Sequence, residues 1–208
     1  MIHFFFIFIF FSHSSIIARE VQFIPYIGNE QVSIGKQCVI GQDTLSITSL
    51  KYYISFTQTK QDSSVHHVTY LLDIQDSLTC TLPDDVTSFM FGMDSSMNVN
   101  TSFTHFLDPI HGMFWTWNSG YVNCKIEGIS NRSRQLHQSF TIHLGGFRFP
   151  YATAFMVDLP QAPIVRIAID LLPAFRHAMN KYAGNIMSPG EAAFECSLIL
   201  MNSIGIQQ

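Results

Sequence analysis

The sequence predicts a mainly β protein: one antiparallel sandwich or barrel-like domain with helical segments at its C-terminal end. Three observations lead there. Short runs of strand-forming residues, several of them alternating apolar with polar, recur along the chain with Gly-, Asn- and Pro-bearing turn signals between them. Apolar residues make up 47% of the 208 and charged residues 12%, so a large core is available and the polar surface falls to Ser, Thr, Asn and Gln. Helical spacing enters only after residue 170.

The first eighteen residues stand apart. Residues 4–11 are an unbroken apolar run, followed by His13, Ser14 and Ser15 and then Ile16, Ile17 and Ala18. The run is shorter than the roughly 20 residues a membrane helix needs and suits the apolar region of a secretory signal cleaved after Ala18. The expected mature chain is then residues 19–208, exported to the periplasm or an equivalent compartment, with no transmembrane anchor left after cleavage.

Strands are expected at residues 21–27, 32–34 and 45–47, set off by Gly-Asn and Gly-Gln-Asp turns. Residues 50–56 alternate, and residues 65–74 and 89–93 read as further strands. Residues 120–127 and 139–144 complete the central set, and 165–169 follow a Pro-bounded loop. The stretch 94–102 reads as a polar turn. Its Asp94, Ser96, Asn98 and Asn100 resemble the start of a calcium loop, but the central Gly and the closing Glu are absent. Residues 171–179 form a short helix with Pro173 in its first turn. Ser188-Pro189-Gly190-Glu191 reads as a capping box opening a helix over about 189–203, with Phe194, Leu198 and Met201 as its packed stripe.

Several function classes are set aside. The net charge is −4 with no run of Lys or Arg, which does not suit a nucleic-acid partner. There is no G-x-S-x-G, no H-E-x-x-H and no phosphate-cradling glycine loop, so binding rather than catalysis is expected. An enzyme built on Asp108, His111 or Glu127 has no motif behind it. The four cysteines are widely spaced; Cys124 and Cys196 read as buried thiols, and a Cys38–Cys80 pair stays open.

Candidate ligands are histidines. In residues 140–146 (FTIHLGG), Phe140, Ile142 and Leu144 share one strand face and His143 projects from the other, with Gly145-Gly146 allowing backbone or ligand to approach. His105 and His111 bracket a Leu-Asp-Pro turn, whereas His66 and His67 point to opposite strand faces. Residues 107–128 (LDPIHGMFWTWNSGYVNCKIEG) hold both tryptophans. In an extended chain Trp115, Trp117 and Tyr121 would share one face, with Lys125 and Glu127 as an ion pair on it.

Together with LKYYIS (50–55), FGMDSSMN (91–98), IHLGG (142–146) and MSPGEAA (187–193), this segment resembles the MbnP-like copper-binding protein family, in its Bacteroidetes-type branch. The resemblance spans most of the mature chain, and W-x-W-x-x-G-Y is its most specific part. It implies an exported β-rich protein that holds copper(I) for acquisition, storage or delivery. The ligands it implies are histidines, here His143, His111 and His105, and a kynurenine formed by oxidising Trp115 or Trp117. A dihaem MauG-like oxidase is the implied partner. Intact indole offers only an N–H donor, whereas the opened ring carries an amine and a ketone beside the imidazoles that copper accepts. Methanotroph-type members carry Asn-His in the region comparable to residues 94–100, which has no histidine here. The alternative is a non-metal envelope binding module that keeps the fold and the aromatic platform.

Overall fold

Alternation of buried and exposed residues along β1 (Ala18–Ile27) sets the pattern of the molecule: Val21, Phe23 and Ile27 turn inward and their neighbours outward. The computed structural model describes residues 18–59, 65–93, 95–99, 103–116 and 118–207. The expected signal segment, apart from Ala18, lies outside the described residues, and so does Trp117. After β1 come β2 (Glu30–Gln31), β3 (Gln37–Ile40), β4 (Asp43–Thr59), β5 (Val65–Asp73), β6 (Thr79–Pro83) and β7 (Ser88–Phe91). A short helix, α1 (Ser95–Val99), precedes β8 (Phe114–Thr116), β9 (Gly120–Ser130), β10 (Ser139–Gly145), β11 (Phe155–Asp158) and β12 (Ile164–Asp170). Helix α2 (Leu172–Tyr182), β13 (Asn185–Ile186), α3 (Glu191–Met201) and β14 (Ile204–Gln207) follow.

Two sheets enclose one core. The smaller runs β14-β12-β1-β2, with β6 also on β1. The larger runs β11-β7-β4-β9-β10-β13, with β3 and β5 also on β4 and β8 on β9. The mainly β class stands; pairing is mostly antiparallel, with β1–β12 and β10–β13 parallel. Phe23 of the smaller sheet meets Tyr52 and Phe89 of the larger edge-on, at 5.6 and 5.7 Å between ring centroids. Helix α2 seats Phe175 at 5.1 Å from Phe140, so the helices close onto the same core.

Several elements differ from the sequence expectation. Residues 45–47 and 50–56 belong to one strand, because the register shift between Ile47 and Ser49 absorbs Thr48 as an irregularity rather than a turn. Residues 32–34 are not a strand; pairing there stops at Gln31. β6 shows a clean alternation, with Cys80 and Leu82 buried, but is too short to stand out from its turns. Residues 95–99 are helical, and Asn98 is buried with its Oδ1 accepting the Tyr121 N–H at 2.9 Å. The bond ties α1 to β9; Asp94 and Asn100 lie outside the described residues.

Helix α3 begins at Glu191 with Gly190 as its cap and no side-chain cap bond, so the Ser188 capping box does not form. Its buried residues are Ala193, Cys196, Ser197 and Leu200, whereas Leu198 is 39% exposed. The helix packs through small side chains against α2 and β10, so bulk pointed to the wrong stripe. All four cysteines are free and buried, and the Cys38–Cys80 pair is not formed.

Candidate functional site

The outer face of the larger sheet carries the site. Residues of β4, β9 and β10 that alternate with the core positions point outward, and register aligns Asp73, Lys51, Lys125 and His143 in one row across β5, β4, β9 and β10. Beside this polar row lies a second apolar cluster of Tyr53, Met93, Met113, Tyr121 and Val122, with Trp115 and Phe114 packed against it.

Residues 103–121 fold back over that face for local reasons. Asp108 accepts the Ile110 N–H at 2.9 Å and so starts a 3-10 turn, Pro109–His111. Gly112 ends the turn at φ +68°, a left-handed conformation that favours glycine. The Tyr121 hydroxyl donates to the Leu107 carbonyl at 2.8 Å and the Tyr53 hydroxyl to the Phe106 carbonyl at 2.9 Å, tying the segment to the sheet.

Trp115 and Tyr121 do not share the face expected of an extended chain, because the chain turns between them; Trp117, the third member of that face, lies outside the described residues. β8 and β9 make a hairpin in which Phe114 pairs with Tyr121 and Thr116 with Gly120. The Phe114 and Tyr121 rings sit 4.9 Å apart. Trp115 lies instead against β10, its ring centroid 6.4 Å from that of His143. Gly145 makes this approach feasible: a Cβ there would stand 2.7 Å from the indole and 2.7 Å from the Tyr121 carbonyl.

His143 is the centre of the arrangement. It is 7% exposed, its Nε2 lies 2.8 Å from Glu127 Oε1, and its Nδ1 is buried with no hydrogen-bond partner. An ionised carboxylate only accepts, so Nε2 carries the hydrogen of this bond, and Nδ1 is the ring nitrogen left without a protein partner. Glu127 also pairs with Lys125 at 3.3 Å. The His143 hydrogen bond, helped by the Lys125 charge and opposed by burial, holds the Glu127 carboxyl below its ordinary range.

His105 and His111 are joined to each other: the His111 Nε2–H donates to the His105 carbonyl at 2.9 Å. His105 is exposed, on left-handed backbone at φ +52°. Their turn abuts the polar row, since a Cβ on Gly112 would lie 3.6 Å from Lys125 Nζ. Among the described residues no three His, Cys, Asp or Glu side chains come together as a metal-holding group. The thiols are poor ligands, because burial pushes Cys80 and Cys196 up to about 12 and raises Cys38 and Cys124 as well. Sequence reasoning missed Glu127 as the partner of His143; the signal was there, in the outward alternation of β9 and β10, once their register is known.

Fold and site define a two-sheet β protein with a carboxylate-held histidine beneath an indole-bearing hairpin. The chain belongs to the MbnP family, whose model matches residues 18–188. Membership points to a methanobactin-associated, copper-related protein. Among solved structures the chain is similar to MbnP from Methylosinus trichosporium, with a TM-score of 0.52, 15% identity and 76% of each chain covered. At that identity the likeness is one of fold. No curated protein matches the sequence.

Proposed function

We propose that this protein binds copper(I) outside the cytoplasm and serves in its acquisition, storage or delivery, with His143 as an imidazole ligand. The observation that carries the reading is the division of labour on the His143 ring: Nε2 is held by Glu127 at 2.8 Å while Nδ1 is buried and unpartnered. Metal-binding imidazoles are commonly oriented in this way, by a carboxylate on the nitrogen that does not bind. A buried polar atom without a partner costs about 1–3 kcal/mol, and a metal ion at Nδ1 removes that cost. Imidazole is a nitrogen donor that copper accepts.

Trp115 is the neighbouring donor on this reading. A dihaem MauG-like partner, using an external oxidant that supplies two oxygen atoms, would cleave the Trp115 indole C2–C3 bond to N-formylkynurenine; hydrolysis then releases the formyl carbon as formate and leaves kynurenine, an arylamine and a ketone beside His143. Trp117 is the alternative target of that oxidation. His105 and His111 complete the candidate set from the adjoining turn. Copper(I) titration tests the reading: stoichiometric binding that His143→Ala abolishes supports it, and no binding by the wild type defeats it.

The lack of a three-ligand group among the described residues favours a second reading, a non-metal envelope binding module that keeps the fold. Tyr121 is 1% exposed, so on that reading it packs as core rather than forming an open platform with the tryptophans. Intact mass of the protein from its native host separates the two. Kynurenine at one tryptophan favours copper, and two unmodified tryptophans favour the module.

A further inference from the structure

We propose a binding pocket for a small aromatic carboxylate, walled by Phe147, Phe149 and Tyr151 and charged by Arg148. The four belong to the loop that leaves β10. With Ser119 of the β8–β9 turn and Pro189 ahead of α3 they line a pocket of about 160 Å³. A cavity of about 150 Å³ takes one benzene ring, so the space suits a single ring. Local packing fixes two of the walls. Phe147 lies against Gly120, where a Cβ would stand 2.9 Å from its ring. Tyr151 meets Phe194 of α3 edge-on, at 6.1 Å between ring centroids. Gly146 lets the loop fold this tightly: its φ is +129°, and a Cβ there would stand 2.8 Å from the Tyr151 carbonyl. Phe149 is the third wall and is 96% exposed. Covering it removes apolar surface from water, and a ring is the partner that a phenyl group meets best.

The charge of the lining selects the substituent on that ring. Arg148 is the one charged residue among the described lining residues. Its guanidinium carbon sits over the Phe147 ring, 5.1 Å from the centroid. That contact uses the flat face of the group and leaves its N–H donors at the edge. Arg148 forms no ion pair among the described residues, so the fork is open to a carboxylate taken through two parallel bonds. An acid group attached directly to an aromatic ring meets both demands at once: the ring stacks between the walls while the carboxylate reaches the guanidinium. The pocket is distinct from the His143 site. Gly145 and Gly146 are consecutive, but Gly145 carries the Trp115 indole whereas Gly146 abuts Tyr151 and Pro189. The proposal therefore does not rest on copper.

The test uses the whole chain without added metal and benzoate as the probe, followed through amide chemical shifts. Small-ligand efficiencies put a one-ring acid at a Kd of about 10 mM or tighter. Saturable movement of the amides of residues 146–151 and of Ser119 is expected. Arg148→Met is expected to weaken benzoate about tenfold or more through loss of the charged pair. Phe149→Ala is expected to weaken it about threefold to tenfold through loss of the ring contact. Both positions are exposed, so neither variant is expected to disturb the fold. Cyclohexanecarboxylate, which keeps the charge and lacks the aromatic face, is expected to bind more weakly than benzoate, and His143→Ala to leave benzoate binding intact. Amides that stay put at several times that Kd overturn the proposal, as does an affinity unchanged in both loop variants. Equal binding of cyclohexanecarboxylate would overturn the aromatic preference, and loss of binding in His143→Ala would place benzoate at the other site.

Discussion

Replacing Gly145 by Ala is expected to lower stability by about 1–3 kcal/mol, the range for overpacking a filled site. The added Cβ would stand 2.7 Å from Trp115 Cζ3 and 2.7 Å from the Tyr121 carbonyl oxygen. Both are about an ångström inside ordinary contact, which is roughly 3.5–4.0 Å. The carbonyl is backbone within β9 and cannot retreat without disturbing the β9–β10 ladder, so the indole must move. Elsewhere a strain-free Gly→Ala change stabilises by about 0.4–1 kcal/mol through the unfolded chain, which makes the sign itself diagnostic. Urea unfolding followed by circular dichroism and tryptophan emission is the assay. A lower midpoint at unchanged slope is expected, with native emission altered by displacement of Trp115. For a chain of this size each kcal/mol corresponds to about 2–4 °C of melting temperature. Stability equal to or above wild type, with unchanged emission, would refute the packing argument.

Glu127→Ala removes the acceptor of the His143 ring and leaves both of its nitrogens unpaired in a buried position, an expected loss of about 1–3 kcal/mol by urea unfolding. Glu127→Gln should recover part of it, because the amide oxygen still accepts. The same carboxylate predicts an acid limb. Its folded pKa is depressed, so its contribution is complete above the unfolded value of about 4.3 and is lost as pH falls through the folded value. Wild type should therefore lose more stability than Glu127→Gln between about pH 5 and pH 2, and parallel curves would exclude this role. On α3, Leu200→Ala should cost about 2–5 kcal/mol whereas Leu198→Ala should stay within about 0.5; equal costs would contradict the assigned buried face.

Much of the fold was legible because the inner faces of long strands carry a strict period of two. β1, β9, β10 and β12 lie where their alternation puts them, and His143 projects opposite Ile142 and Leu144 as that alternation requires. What stayed hidden depends on partners distant in sequence. Thr48 looks like a break until the β9 register makes it an irregularity. The α3 stripe was misread because its close packing uses Ala193 and Ser197, residues with little apolar bulk. Trp115 and Tyr121 do not share a face because β8 and β9 pair as a hairpin rather than running on as one extended strand. Gly145 was recognised as permitting a close approach, yet only the folded chain identifies Trp115 as what approaches. The Glu127–His143 bond joins residues 16 apart and needs the β9–β10 register to be seen.

The central claim is that His143 offers Nδ1 to copper(I) while Glu127 holds Nε2. Nitrogen-15 spectra of the histidine rings, recorded as copper(I) is added without oxygen, test it most directly. The account predicts that the His143 Nδ1 resonance moves on binding while Nε2 keeps its proton and its bond to Glu127. A His143 ring unchanged at copper saturation, or one bound through Nε2, would contradict it.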